Sequence, residues 1–485
     1  MHSRISVVKL LFRINAVPEN IQRQLASEPL RQKKKKSFIN EPVDGTSTTT
    51  NGSRILKEMK EYFKSIGNIT ILGKFPPELL TRNKKHLERF YLAHTESAEL
   101  VAKHITAGLS PDMLLVEINP GPGLLTRELL KCDIKKLLLV ESESHFESDL
   151  QKLMATKMKS EWDLMLAHFN GNCKLSYQNR GIKLEQLLAE QSQKQDEVKF
   201  KLFSAVDSLK FFKSLTGSVA SQTGLFSLAR WEMVVAVPPL IFMQLTCSRN
   251  AGYGMYRRHT VLFQIFFEHE LLATIPRRHM LPWPPRAMKR KPYTVRMRYE
   301  LEHADEWYLV RIIPRGNLLD LCPPDDLKAL VFFISQSLAC RTNRIIPTME
   351  QWIPYSGARL ILNQNYVPST TEAPVIEAED SQPTVNRKSS FFRKNDLPER
   401  ITIFTEFGEL TPSQMLSLFN EFKSWPEYRQ SHFLTTMEQH DSKDHALSNV
   451  EGATETDTAE AADVEDTGIV KPSVVKQAKI EDPDS

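Results

Sequence analysis

Leu114-Leu115-Val116-Glu117-Ile118-Asn119-Pro120-Gly121-Pro122-Gly123-Leu124-Leu125-Thr126-Arg127-Glu128-Leu129-Leu130 is the stretch from which the fold is read. A short apolar run, Met113 to Val116, suits a buried strand. The turn Asn119 to Gly123 follows it. Leucines 124, 125, 129 and 130 then fall at helical spacing. Strand, glycine turn and helix form the first unit of a nucleotide-binding α/β fold. Glycine serves where the backbone approaches a ligand closely or takes positive φ. The helix start aims free N–H groups at whatever sits over the turn.

Lys136 to Val140 reads as the next strand, with Glu141 at its end. Glu141 lies 20 residues after Gly121, a spacing at which an acid accepts hydrogen bonds from ribose hydroxyls. The turn is not G-x-G-x-x-G, so a dinucleotide is not the first choice. The plainer alternative is a glycine turn between a core strand and a core helix, with Glu141 a solvated strand end.

Glu117 to Thr126, E-I-N-P-G-P-G-L-L-T, resembles the E-x-G-P-G-x-G-x-L-T motif of the rRNA adenine dimethylases, which are S-adenosyl-L-methionine-dependent methyltransferases. Glu117, Pro120, Gly121, Gly123, Leu125 and Thr126 match, and Asn119 replaces the usual first glycine. Val140 to Ser144 resembles that family's second-strand acid. Within the family, Asn-Pro-Gly-Pro-Gly is most similar to the mitochondrial transcription factor B branch, its second paralogue in particular. The resemblance implies a class I, Rossmann-like α/β methyltransferase sheet with a smaller helical C-terminal domain and disordered tails. It also implies that Glu117, Asn119, Gly121, Gly123 and Glu141 hold the methyl donor. The family's Q-N-F-L signature, which touches the donor, falls near Phe90-Tyr91-Leu92 without its Gln and Asn; Tyr91 or Leu92 is the further candidate there, with Leu92 carried forward.

The chain has 485 residues, enough for two domains plus tails. Apolar content is 41%, low for a wholly folded chain. Cys132, Cys173, Cys247, Cys322 and Cys340 are scattered without a C-x-x-C pair, which supports neither a zinc site nor a disulfide framework. They suit small buried side chains in a reducing compartment. No apolar run reaches the ~20 residues of a membrane span, so no membrane insertion is expected.

Residues 1–54 read as a mitochondrial transit peptide and linker. Arg4, Lys9 and Arg13 precede the first acid, Glu19, and Ile5, Val8, Leu11 and Phe12 lie on one helical face. An ordinary basic helix is the alternative. Residues 55–320 are assigned to the methyltransferase-like domain and 321–440 to a smaller helical domain with a flexible insertion at 366–399. Leu410-Thr411-Pro412 suits a helix start. Residues 441–485 carry 12 acids, four lysines and no aromatic residue, and should be a disordered acidic tail. Leu87 to Ile105 and Phe200 to Leu215 both have helical spacing, and Trp307 to Pro314 reads as a late strand.

Met233 to Leu245 reads as a buried strand ending at Pro238-Pro239. In family enzymes this strand end carries N-L-P-Y. The Asn side chain and a backbone carbonyl accept from the adenine N6 amine, and the aromatic ring stacks on the flipped base. Ala236-Val237-Pro238-Pro239 stands there instead, a degenerate motif that speaks against efficient dimethylation.

Arg277 to Arg298 holds eight Lys/Arg and no acid, with Trp283 and Tyr293 interleaved. Cations neutralise phosphates and rings stack on unpaired bases. Arg257, Arg258, Arg277, Arg278, Lys289, Arg290 and Lys291 are therefore nucleic-acid candidates; a solvated basic face is the alternative. The resemblance implies partners to match: mitochondrial RNA polymerase and promoter DNA, or mitochondrial small-subunit rRNA for an active dimethylase.

Overall fold

The computed structural model describes residues 47–440, apart from 83–88, 111–112, 133, 156–160, 167–199, 223–229, 251–253, 285–294, 363–387, 389–395 and 399. The transit peptide, the acidic tail and most of the 366–399 insertion thus lie outside the described residues. Residues from Asn51 onward form one compact unit; of the unit before it, Met1–Thr50, only the opening of a helix from Ser47 is described.

Among the described residues, nine strands follow in chain order: β1 Tyr91–Leu92, β2 Leu114–Ile118, β3 Lys136–Glu141, β4 Glu161–Leu166, β5 Phe200–Ala205, β6 Trp231–Val237, β7 Phe267–Pro276, β8 Met280–Leu281 and β9 Glu306–Pro314. Seven of them build one sheet in the order β4-β3-β2-β5-β6-β9-β7, and β1 and β8 pair separately. β4, β3, β2, β5 and β6 run parallel; β9 is antiparallel to both its neighbours. The order reverses at β2, which has β3 on one side and β5 on the other. That switch point marks the strands' carboxyl ends as the place where open α/β sheets take ligands. This is the Rossmann-like methyltransferase sheet.

Side-chain alternation along each strand divides the core in two. Leu114, Val116 and Ile118 enter one apolar cluster with Trp231, Met233 and Val235. Leu115 enters the other with Leu139, Phe203, Val234 and Ala236. The first cluster runs on into the C-terminal helices Leu327–Ser337 and Pro412–Ser424 through Phe333, Phe419 and Phe422. The second takes in Met59 and Phe63 from the helix Ser47–Ser65.

Two sequence expectations are corrected. Phe200 to Leu215 is not one helix: Phe200–Ala205 is a strand, and a helix Leu209–Ser221 starts after Ser208, whose hydroxyl accepts from Lys210 N. A central parallel strand is covered on both faces and so carries no alternation to separate it from a helix. Leu87 to Ile105 likewise contains β1 before the helix Thr95–Thr106 begins. Pro239 opens a helix, Pro239–Thr246, directly after β6, as proline can at a first helical position. Thr411 caps Pro412–Ser424 as expected, its hydroxyl accepting from Gln414 N at 3.2 Å. Cys247 and Cys322 are buried, Cys132 is half-buried and Cys340 is exposed. Among the described residues, no helix is long and apolar enough to cross a membrane.

Candidate cofactor cradle and nucleic-acid face

The turn between β2 and the helix Leu124–Lys131 takes three left-handed positions: Asn119 at φ 53°, Gly121 at φ 58° and Gly123 at φ 74°. Asparagine is among the few side-chain-bearing residues that tolerate this region, so it can stand where the family has glycine. Asn119 N donates to Val140 O at 2.8 Å, tying the turn to the end of β3.

Glu141 is fully buried at that end. Its Oε2 accepts from Gly121 N at 2.8 Å. Its Oε1 accepts from Ser142 N at 2.8 Å, from Glu143 N at 2.9 Å and from the Tyr91 hydroxyl at 3.4 Å. Burial pushes this carboxyl up to about 7, against the pull of the Gly121 and Ser142 N–H groups. Glu117, on β2, accepts from Thr126 Oγ1 at 2.8 Å. Burial lifts it to about 8, the Thr126 hydroxyl pulling the other way. The sequence thus locates the turn and both acids correctly, but not what surrounds them. Tyr91, rather than Leu92, reaches the turn: a Cβ built on Gly121 would lie 2.8 Å from Tyr91 Cδ1. Phe75 and Phe146 pack on Tyr91 with ring centroids 5.7 and 5.5 Å away. Residue spacing gives no hint of Phe75; Phe146, five residues past Glu141, was within reach of a search for rings near the acid.

At the end of β6, Ala236 and Val237 are buried. The carbonyl of Ala236 accepts from Val206 N at 2.9 Å, and that of Pro238 from Phe242 N at 3.2 Å. The side chains of residues 236–239 present no polar atom to a base.

Among the described residues, the basic candidates divide between the two faces of the sheet. Arg257 is exposed ahead of the helix Arg258–Phe266, its N–H donating to Thr260 Oγ1 at 3.1 Å. Arg258, half-buried, opens that helix, whose apolar residues pack in the core on one face of the sheet. Arg277 and Arg278 follow β7, beside residues of the core on the other face. Arg277 turns inward. Its guanidinium donates to Met280 O and Pro282 O, both at 2.8 Å, and lies over the Trp307 ring at 5.2 Å. Burial pulls it down to about 10. Two of its five N–H donors are engaged by carbonyls of its own loop, so it faces inward where Arg278 faces out. Arg278 is exposed, its guanidinium 5.4 Å from the Tyr62 ring and 6.0 Å from that of Trp283. Those two rings are 5.7 Å apart, and Trp283 Nε1 donates to Arg278 O at 3.1 Å. Tyr62 was missed from sequence, being over 200 residues from its partners. Lys289, Arg290 and Lys291 lie outside the described residues.

Residues 81–387 match the family model described as ribosomal RNA adenine dimethylase. Over 375 residues, 76% of this chain and 82% of the relative, the sequence is 36% identical to "Dimethyladenosine transferase 2, mitochondrial" of Drosophila melanogaster. Among solved structures, a dimethyladenosine transferase from Plasmodium falciparum is similar over 71% of this chain and 97% of its own, at 13% identity and a TM-score of 0.38. The 23S rRNA methyltransferase ErmE is similar over 69% of this chain and 100% of its own, at 16% identity and a TM-score of 0.38.

Proposed function

We propose that this chain, which belongs to the ribosomal RNA adenine dimethylase family, works in the mitochondrion as a transcription initiation factor that helps a mitochondrial RNA polymerase melt promoter DNA. The observation that carries the reading is the end of β6. Transfer to adenine N6 needs acceptors that hold the amine and a ring that holds the base. Ala236 offers a buried methyl group, and its carbonyl is already bonded to Val206 N. Each lost polar contact to a base costs about 1–3 kcal/mol, and a misplaced amine slows transfer further.

What the chain keeps is a means of gripping opened strands. Tyr62, Trp283 and Arg278 set two half-buried rings beside an exposed cation. Stacking on rings is tolerant of sequence, and the cation neutralises a phosphate. Unpaired promoter DNA fits that chemistry. Trp283→Ala should weaken single-stranded DNA binding by about 1–3 kcal/mol, read by fluorescence anisotropy. Arg278→Glu should flatten the salt dependence by about one phosphate contact. Unchanged affinity in both variants would remove this face from the proposal.

Run-off transcription with purified polymerase, on duplex and on pre-melted templates, tests the reading as a whole. Stimulation confined to the duplex template is the expected result; equal stimulation of both, or of neither, counts against a melting role. The second reading is N6-dimethylation of mitochondrial small-subunit rRNA, favoured by the similarity to the Drosophila dimethyladenosine transferase 2. It requires dimethyladenosine to form when the protein, S-adenosyl-L-methionine and an rRNA hairpin are mixed.

A further inference from the structure

The acids and two of the three glycines by which the family resemblance assigns a methyl-donor site are in this chain, with Asn119 in place of the third, but their surroundings do not fit a bound donor. Pro120, Gly121, Pro122, Gly123 and Glu141 are all buried under the protein's own side chains. Three of the four bonds to the Glu141 carboxylate converge on Oε1, and the fourth is the Gly121 N–H on Oε2. A carboxylate has about four acceptor positions, so little is left for ribose hydroxyls. Above the turn, the missing side chain of Gly121 makes room for Tyr91 rather than for a ligand.

The cover is an N-terminal segment pinned on both sides. Ile71, Leu72 and Phe75 are buried in it. The Phe75 ring stands 5.7 Å from Tyr91 and 5.4 Å from Phe146, and those two are 5.5 Å apart, closing a triangle of rings over the glycine turn. Lys74 Nζ pairs with Asp149 at 3.4 Å, and the Lys74 carbonyl meets His145 Nε2 at 3.2 Å. Asn68 Nδ2 donates to Ala93 O at 3.3 Å beside β1. Arg89, two residues before Tyr91, is ion-paired with Glu143, two residues after Glu141.

We infer that Tyr91, Phe75 and Phe146 fill the cradle in place of S-adenosyl-L-methionine, turning a cofactor site into a joint that fastens the segment around residues 68–75 to the sheet. The folded protein then binds no methyl donor, whatever its role with a polymerase. The inference does not rest on the transcription reading, and its test contains no polymerase.

Isothermal titration of the full chain with S-adenosyl-L-methionine and with S-adenosyl-L-homocysteine should give no saturable heat. Either ligand at about 1 mM should leave the melting temperature unmoved, since only binding to the native state raises it. Hydrogen exchange on the wild-type chain supplies the positive sign. The amides of Gly121, Ser142 and Glu143 should exchange slowly without ligand and be indifferent to its addition. Fast exchange in the free protein, slowed by the methyl donor, would overturn the inference, as would saturable binding. A second arm uses Tyr91→Ala. If this variant keeps a cooperative melt, it should gain homocysteine-adduct binding; a folded variant that still binds nothing would show that the ring is not what excludes the ligand. If it does not fold, the exchange result decides.

Discussion

Toward the amino-terminal ends of the central strands, Glu232 of β6 pairs with Lys201 of β5 at 3.0 Å and with Arg311 of β9 at 2.9 Å. Toward the carboxyl ends, Glu117 and Glu141 are answered by backbone N–H groups and hydroxyls. All three acids are buried in one sheet. Cations offset the desolvation of the first. Dipolar donors offset it less completely for the other two, which therefore hold their protons into the neutral range. The sheet is cross-braced by ion pairs at one end and left protonatable at the end that carries the glycine turn.

The strongest way to break this contrast is Lys201→Met. Removing one partner of a buried pair typically costs about 3–5 kcal/mol, here increased by the loss of the Lys201 bond to Ala107 O. Urea unfolding should report it, and a loss below about 1 kcal/mol would mean that Arg311 alone suffices for Glu232.

The carboxyl end should declare itself through pH. The folded carboxyls of Glu117 and Glu141 sit at about 8 and about 7, above the ordinary 4.5. The stability they support is complete below pH ~4.5 and is lost as pH rises through those values, at up to about 1.4 kcal/mol per pH unit per group. Glu117→Gln removes one share. The urea midpoint of the variant relative to wild type should therefore climb between pH 5 and 8. A difference that is flat across that range would show Glu117 to be ionised in the fold.

Two smaller effects sharpen the account of the turn. Gly121→Ala meets Tyr91 Cδ1 at 2.8 Å and holds alanine at φ 58°, a left-handed conformation that costs an L-residue about 1–2 kcal/mol. Thermal unfolding measures it. Tyr91→Phe keeps the ring and loses the hydroxyl's contacts with Ser142 and, at a long 3.4 Å, Glu141, so a loss under about 1 kcal/mol is expected in the same assay. A larger loss from the hydroxyl than from the alanine would invert the picture, making the bond rather than the packing the thing that holds the turn.

The legible parts of this molecule were local ones. Strand, turn and helix from Leu114 to Leu130 carry their own periodicities, and Glu141 stands at a fixed distance along the chain from Gly121. The inert end of β6 could be read residue by residue. Phe200–Ala205 could not, because a strand covered on both faces offers no period. Nor could the ring triangle, whose members at 75, 91 and 146 meet only after the sheet forms. Nor could the split between Arg277 and Arg278 at the start of the basic run. Acid-free sequence looks continuous, yet Arg277 folds back onto the carbonyls of its own loop while Arg278, next to it, faces outward.

The apolar core that passes from the sheet into Phe333, Phe419, Phe422 and Phe433 bears on how the chain comes apart. Tyr256 Oη bonds Leu410 O at 2.7 Å, and Asn420 Nδ2 bonds Leu321 O at 3.0 Å across the same seam. A protease cutting between residues 363 and 387 would sever the backbone without releasing either piece. The nicked protein should elute from a sizing column as a single species, and separate into two bands only once denaturant dissolves the shared interior.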